Sequence, residues 1–143
     1  EGNYTSSWDT LVQSGVVVVE NGVVTVVGEF NGEERGENLV GHLVLPSDGS
    51  VTAVADYGFA GCWNLKKLTI PEGVISVGKD AFYETYIVAL LPHSLTVIGD
   101  QDMYWEEIYY NGTIEEWSTL TEGVYFVSGY DLVIHCNDGD IEI

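Results

Sequence analysis

The chain has 143 residues, of which 45% are hydrophobic and 12% aromatic, enough for one folded domain and too apolar for a disordered segment. Its 23 acidic residues face four basic ones, a formal net charge of −19 that argues against partnership with nucleic acid or with an anionic membrane surface. No apolar run approaches the ~18 residues of a membrane span, which argues against membrane insertion.

Residues 1–37 are predicted to form an N-terminal cap. A short helix is expected over residues 7–12, ended by Gly15. Two β-branched runs, 16–19 and 23–27, then flank Asn21-Gly22. Asn-Gly between such runs is a strong hairpin signal, because a type I′ turn needs positive φ at both central residues.

Residues 38–112 carry a repeated spacing of apolar residues. Val51-x-x-Val54-x-x-x-x-Phe59 returns 23 and then 21 residues later, with Phe82 and Met103 in the last position. A period in the twenties is typical of a solenoid, in which each repeat buries its apolar side only against its neighbours. This half of the repeat is predicted to form one wall of the core, with the three large residues stacked as a spine.

A second pattern runs in step with the first and places two alternate apolar residues before a proline. Its copies are Leu43-x-Leu45-Pro46, Leu68-x-Ile70-Pro71 and Ala89-x-Leu91-Pro92, with a degenerate fourth at Ile108-x-Tyr110-Asn111. Alternate residues of a strand point to the same side, and proline has no N–H for a ladder. The pattern therefore predicts short strands that face the core and end at the proline.

Residues 113–143 are predicted to form a C-terminal cap. Thr113 and Glu116 have the spacing of a capping box and open a short helix, Ile114–Leu120, whose Trp117 should close the end of the solenoid. Residues 124–127 and 132–135 are then expected to be two strands joined around Gly129. A solenoid needs such a cap because its last repeat would otherwise expose core.

The two cysteines, Cys62 and Cys136, are far apart in sequence and neither belongs to a CxxC pair. That spacing argues against a zinc ribbon, and a disulfide scaffold would need more cysteines. Both are interpreted as buried thiols, with Thr85 in the place of Cys62 one repeat later. A Cys62–Cys136 bridge would form only if the C-terminal hairpin folded back over the first repeat.

Segments 57–62 (Tyr-Gly-Phe-Ala-Gly-Cys) and 68–82 (Leu-Thr-Ile-Pro-Glu-Gly-Val-Ile-Ser-Val-Gly-Lys-Asp-Ala-Phe) resemble the BspA-like class of bacterial leucine-rich repeats. The unit of that class reads roughly L-x-x-I-x-I-P-x-x-V-x-x-I-G-x-x-A-F-x-x-C, and segment 108–117 resembles its terminal repeat. The resemblance covers about residues 39–136. It implies one leucine-rich-repeat domain, mainly β, with a short parallel β-ladder and few short helices or 3₁₀ turns. Thr85 and Met103 depart from the pattern.

The same resemblance implies a bacterial protein that is secreted or exposed on the cell surface, and several members act as adhesins. The class has no shared catalytic motif, so no functional residue is carried over from it. The sequence begins at Glu1 without an initiator methionine or signal peptide. We therefore expect a processed or trimmed chain, with any targeting segment outside it.

No catalytic residue, metal site or cofactor is predicted. The histidines, His42, His93 and His135, are at no ligand or catalytic spacing, and phosphate-binding and nucleophile motifs do not occur. We therefore expect a protein that is not an enzyme. Oxygen side chains do cluster at residues 137–142 and at Asp100 and Asp102, without the twelve-residue calcium loop. A polar turn or tail is the interpretation, with a weak Ca²⁺ site as the alternative.

The predicted ladder has an unusual outer surface. On each strand the residue between the two inward positions faces out, as does the residue two before it. Several of these are apolar, where a solvated sheet would be polar. The predicted binding residues are Val44, Lys67, Thr69, Val88, Leu90, Glu107 and Tyr109, with His42 on the same face and Tyr86, Tyr104 and Trp105 nearby. In the alternative interpretation the N-terminal hairpin or a neighbouring domain covers this face, or Trp105 and Tyr110 belong to the cap core.

The sequence thus favours a non-catalytic, adhesion-type module that binds a protein or a glycan as a monomer. The acid excess is interpreted as a source of solubility and of protection for strand edges, with cation binding or attraction to a basic partner as the alternative. A structural spacer in a larger surface protein, with its apolar face buried by an adjoining domain, is the second functional class.

Overall fold

The computed structural model describes residues 7–26, 39–102, 105–127 and 132–142. In these ranges the chain forms a mainly β solenoid with few short helices, which confirms the predicted fold class. In chain order the elements are α1 Trp8–Gln13, β1 Val17–Glu20, β2 Val23–Val26, β3 Gly41–Val44, β4 Ala53–Val54, β5 Leu65–Thr69, β6 Ser76–Val77, β7 Ile87–Leu91, β8 Val97–Ile98, β9 Gln101–Asp102, β10 Trp105–Tyr110, α2 Ile114–Leu120, β11 Phe126–Val127, β12 Val133–Cys136 and β13 Gly139–Glu142.

The first sheet, here called the ladder, has the strand order β13-β12-β10-β7-β5-β3. Its strands from β3 to β12 are parallel, and β13 is antiparallel to β12. Each of Pro46, Pro71 and Pro92 lies just beyond a ladder strand, as predicted. The inward residues of the proline pattern are all buried: Leu43, Leu45, Leu68, Ile70, Ala89, Leu91, Ile108 and Tyr110.

The second sheet has the order β1-β2-β4-β6-β8 and forms the opposite wall of the core. Its strands from the repeats are only two residues long, and the predicted N-terminal hairpin, β1–β2, continues them because β2 pairs in parallel with β4. The hairpin turn has φ of 53° at Asn21 and 82° at Gly22. Both values are positive, as a type I′ turn requires.

Between the sheets, successive coils stack equivalent side chains on one another. The rings of Phe59 and Phe82 are buried, with centroids 5.9 Å apart and an interplanar angle of 16°. Offset stacking of this kind adds to the burial of apolar area that holds a solenoid together. Met103, the predicted third member of the spine, lies outside the described residues.

The coils approach most closely beside the second sheet, at two glycines one repeat apart. A Cβ on Gly78 would lie 2.5 Å from the backbone nitrogen of Asp56, and one on Gly99 would lie 2.8 Å from that of Lys79. Asp56 Oδ1 also accepts a hydrogen bond of 2.8 Å from the Lys79 backbone N–H. Glycine is therefore required here because the backbone of the preceding coil occupies the place of a side chain.

Thr85 replaces the expected cysteine without leaving its hydroxyl unsatisfied. Its buried Oγ1 donates to the Phe59 carbonyl at 2.8 Å and accepts from the Cys62 N–H at 3.3 Å. The departure from the repeat pattern thus adds hydrogen bonds between two coils.

The C-terminal helix begins as predicted. Thr113 Oγ1 accepts from the Glu116 N–H at 3.0 Å, and Glu116 Oε1 accepts from the Thr113 N–H at 2.9 Å, which completes the capping box. Trp117 is buried against Tyr110, with ring centroids 5.2 Å apart, and against Phe126 at 5.8 Å. It covers the end of the repeat core.

The predicted C-terminal hairpin of strands 124–127 and 132–135 is wrong. Its first strand, β11, pairs in parallel with β9 instead. Its second, β12, pairs in parallel with β10 and forms the hairpin with β13. The reason is packing: Leu132 and Ile134 are buried as the next inward residues of the ladder. A strand that extends an existing core buries more apolar area than an isolated hairpin.

Cys62 and Cys136 do not form a disulfide with each other. Cys62 is fully buried as predicted, whereas Cys136 is only partly buried. Cys62 precedes β5 and Cys136 ends β12, three strands further along the ladder. At about 4.8 Å per strand they lie ~14 Å apart, beyond the reach of a disulfide. The C-terminal hairpin therefore does not meet the first repeat.

Candidate functional site: the outer face of the ladder

The register of the ladder aligns the predicted binding residues in two rows, here together called the outer face. One row contains Val44, Thr69, Leu90 and Tyr109, and the other contains His42, Lys67, Val88 and Glu107. The last two strands lengthen both rows, the first by His135 and Asp140 and the second by Val133 and Glu142.

The apolar members of the outer face are accessible. Val44 is 52% exposed and Tyr109 is 43% exposed, while Val88 and Leu90 are half-buried. The N-terminal hairpin extends the second sheet, so the alternative in which it covers this face is wrong. Tyr110 is buried on Trp117, which confirms that it belongs to the cap core.

Two aromatic positions named with this face cannot be placed on it. Tyr104 lies outside the described residues, and Trp105 lies in β10 with its side chain outside the description. Tyr86 precedes β7 and is exposed. Tyr109 is therefore the aromatic residue that the register of the described strands assigns to the rows.

His135 links the last three strands across the outer face. Its ring stacks on Tyr109 with centroids 4.5 Å apart and an interplanar angle of 19°. Nε2 lies 2.9 Å from Glu107 Oε2 on β10, and Nδ1 lies 3.0 Å from Asp140 Oδ1 on β13. The hydrogen bond with Glu107 is the main reason that the pKa of His135 is raised; burial opposes it and Asp140 adds to it. The protonated ring donates to both carboxylates.

The stability of the fold should therefore decrease as the pH rises through the folded-state pKa of His135. The unfolded imidazole titrates near 6.5 and the folded pKa is higher, so the stabilisation is complete below 6.5 and is lost above the folded pKa. We expect the urea midpoint of His135→Gln to vary less than that of the parent between about pH 6 and 8, the range in which histidine titrates.

His42→Gln is the matched control for this experiment. The pKa of His42 is lowered, first by burial and then by Lys67, so its removal should not reduce the pH dependence. The hydrogen bond with Glu116 raises the pKa of His93, so some pH dependence of the urea midpoint should remain in every variant. If the urea midpoints of the parent and of His135→Gln changed by the same amount with pH, the role given to His135 would be contradicted.

The end of the outer face formed by β3 and β5 differs in charge from the end around His135. His42 Nε2 lies 2.9 Å from Thr69 Oγ1, and the exposed Lys67 is the next residue along its row. Lys66 lies beside it, where the register shifts between β3 and β5. This end therefore carries basic side chains, and the end formed by β10, β12 and β13 carries carboxylates.

Two shallow depressions adjoin the C-terminal part of the ladder. One, of about 290 Å³, is lined by Leu90, Tyr109, His135, Asn137 and Cys136 among others. Burial raises the pKa of the Cys136 thiol, and Asp138 and Asp140 raise it further, so this thiol is protonated and not an activated nucleophile.

The second depression, of about 460 Å³, lies between α2 and the turn that follows β7. There His93 Nε2 lies 2.9 Å from Glu116 Oε2, the carboxylate that also completes the capping box. Glu116 has its pKa lowered mainly by His93 and then by Thr113. This pair holds a strand turn against the helix, and we give it no catalytic role.

The oxygen side chains considered for calcium have structural partners. Asp138 Oδ1 accepts from the Ile114 N–H at 2.8 Å, and Asp100 Oδ1 accepts from the Tyr125 N–H at 2.9 Å. Residues 137 and 138 form the turn between β12 and β13, which confirms the turn interpretation. Among the residues that the structure describes, no group of three or more metal-binding side chains is placed to hold an ion. A weak Ca²⁺ site remains a prediction.

Sequence reasoning missed His135 as a member of the outer face because β12 was assigned to a separate hairpin. A signal was present: Ile134-x-Cys136-Asn137 repeats the spacing of Ile108-x-Tyr110-Asn111. The structure aligns Ile134 with Ile108, and the Asn137 amide donates to the Asn111 side-chain oxygen at 3.3 Å. A fifth copy of the strand pattern would have placed His135 beside Tyr109.

Stacked coils with a parallel ladder on one side, short strands on the other and a regular apolar spine define the class of leucine-rich-repeat proteins. The model of the BspA-type leucine-rich-repeat region matches residues 38–121 in six copies. The chain belongs to this family. Searches of curated proteins and of solved structures found no significant match.

Repeats of this family are generally non-catalytic, often bind proteins, and are typical of bacterial surface or secreted proteins. Across the described parts of the chain, neither helix is long and apolar enough to cross a membrane.

Proposed function

We propose that this chain is a non-catalytic, adhesion-type binding module of a secreted or cell-surface bacterial protein, and that it binds a partner protein through the outer face. One observation carries the proposal: a single row of the ladder contains the exposed Val44 and Tyr109 and the half-buried Leu90, with Thr69 between Val44 and Leu90. A row of this kind on an otherwise highly charged domain is typical of an interaction surface. The backbone ladder holds it in place before binding, which lowers the ordering cost of association.

A protein partner fits this row better than a glycan. Sugars stack on open aromatic faces, whereas the Tyr109 ring has His135 stacked at 4.5 Å on one side and Leu90 next to it in the row on the other. The row therefore presents ring edges to a ligand, and the tyrosine hydroxyl donates to Glu107 Oε1 at 3.4 Å. Edges and branched aliphatic groups suit the uneven apolar surface of a protein.

Loss of binding on mutation of the outer face is the expected result. The purified monomer would be applied to an array of extracellular matrix proteins and glycans, with and without Ca²⁺. For a protein hit, we expect Tyr109→Ala combined with Leu90→Asp to weaken binding by at least tenfold, because truncating a central aromatic contact typically costs 2 kcal/mol or more.

The matched control is Tyr125→Ala combined with Val97→Asp, which alters one exposed aromatic and one exposed aliphatic residue away from the outer face. This control should bind as the parent does. Thermal melts would verify that both variants fold, and Tyr109→Ala alone serves if the double variant does not. Equal binding by parent and outer-face variant would contradict the proposal, and a folded monomer without any hit would support the spacer function.

A further inference from the structure

The outer face is ordered by charge along the stacking direction. At the β3–β5 end the basic or neutral residues are His42, Lys66 and Lys67. Val88 and Leu90 on β7 form an apolar centre. The far end carries three carboxylates on β10 and β13: Glu107, Asp140 and Glu142.

The two ends are far enough apart to act on different parts of a partner. From β5 to β13 there are four strand spacings, a distance of about 19 Å at the usual ~4.8 Å per strand. The Debye length at physiological ionic strength is about 8 Å, so each end is screened from the other. A partner therefore meets, in a fixed order, a basic end that also carries Val44, the apolar residues of β7, and an acidic end that also carries Tyr109.

The carboxylates of the acidic end have spare capacity to accept hydrogen bonds. Glu107 gives Oε2 to His135 while its Oε1 accepts from the Tyr109 hydroxyl at 3.4 Å, and Asp140 gives one oxygen to His135. Each carboxylate oxygen can accept more than one bond, so both side chains can still accept from a partner. Their side chains are 40% and 56% exposed, so a partner can reach them. The acidic end also adjoins Tyr109, the aromatic residue of the row.

We propose that the partner segment has an apolar centre with Lys or Arg side chains on one flank, and that it binds in one orientation with the basic flank over β10, β12 and β13. This inference rests on the proposed function of the outer face. Complementary charge at a defined position selects the orientation and partner more than it raises affinity. The net charge of −19 attracts any cationic protein, but only the order of charges along the face distinguishes its two ends.

The test uses a defined probe, a synthetic 12-residue peptide with two leucines in the centre, two arginines at one end and two glutamates at the other. Affinity is measured by titration into the ¹⁵N-labelled chain. A nitroxide beside the arginines should broaden the amide signals of β12 and β13, and a nitroxide beside the glutamates should broaden those of β3 and β5. Equal broadening of both ends by either label would overturn the proposed orientation, as would a peptide that does not bind.

Charge variants separate the ordered face from general acidity. Glu107→Gln combined with Glu142→Gln should weaken binding of the peptide roughly three- to tenfold, the effect expected for two exposed charge contacts. Glu115→Gln combined with Glu122→Gln removes the same charge from α2 and the turn after it and should change affinity less than twofold. An equal loss in both variants would show attraction by net charge alone and overturn the inference.

A further peptide shows whether only the inferred orientation of the partner fails or whether the proposed function fails as well. Replacement of both leucines by serine should abolish binding if the apolar strip is used. If the serine peptide binds as well as the parent peptide, the outer face does not recognise apolar groups and the proposed function fails. If the leucines matter and the charge variants do not differ, the proposed function stands and only the oriented partner is rejected.

Discussion

Replacing Phe82 with alanine is expected to lower the free energy of unfolding by about 3–5 kcal/mol, the usual loss for a large-to-small change at a buried phenylalanine. The ring is fully buried and stacks on Phe59 of the preceding coil at 5.9 Å. Loss of the ring leaves a cavity between two coils. Each coil of a solenoid packs only on its neighbours, so no other part of the core can move in to fill the cavity. Since typical domains are stable by only about 5–15 kcal/mol, the variant should be near the limit of folding.

Urea denaturation followed by circular dichroism measures this loss. Trp63→Ala is the matched control, because Trp63 lies at the corner that follows Phe59 and is 56% exposed. Removal of a largely exposed side chain should change stability within about 0.5 kcal/mol. A loss below about 1 kcal/mol for Phe82→Ala would show that the Phe stack does not hold the coils together.

Replacing Trp117 with alanine is expected to have a similar cost, about 3–5 kcal/mol. Only 4% of Trp117 is exposed, and it packs edge-on against Tyr110 and at a tilt against Phe126. Its removal would uncover Tyr110, an inward residue of β10, at the end of the repeat core. The terminal coil should therefore open first in hydrogen exchange.

The measurement is hydrogen exchange of the ladder amides combined with thermal denaturation. In Trp117→Ala, protection should fall most in β10 and α2 and least in β3 and β5, at the other end of the stack. Trp117→Phe serves as the conservative control and should keep most of the protection. Uniform loss of protection through all strands would mean that Trp117 stabilises the whole solenoid and not its terminal coil.

The rows of the outer face could be derived from the sequence because two strict local rules set them. Alternation fixes which residues of a strand point outward, and Pro46, Pro71 and Pro92 fix where three of the strands end, with Asn111 in the equivalent place on the fourth. Together they align Thr69 with Leu90 and Leu90 with Tyr109 without knowledge of any long-range contact. The buried Phe59–Phe82 stack follows from the same repeat.

The remaining parts depend on interactions that no local rule specifies. The segment of Phe126 is apolar and precedes Gly129, which predicts a hairpin strand, yet Phe126 packs on Trp117 and its strand pairs with β9. His135 was not predicted on the outer face because β12 has no terminating proline, and Asn137 stands in its place. The bonds of His135 to Glu107 and Asp140 arise from packing of three strands, so composition alone could not predict them.

The parallel register of the ladder also has a consequence for how the chain reaches this structure. From β3 to β12, each strand pairs only with the strands of the adjacent coils, so each pairing closes a loop of about one repeat. A β-sandwich of similar size must join strands from distant parts of its sequence, and folding slows as that separation grows. Here assembly can nucleate on any two adjacent coils and spread towards both ends, one coil at a time.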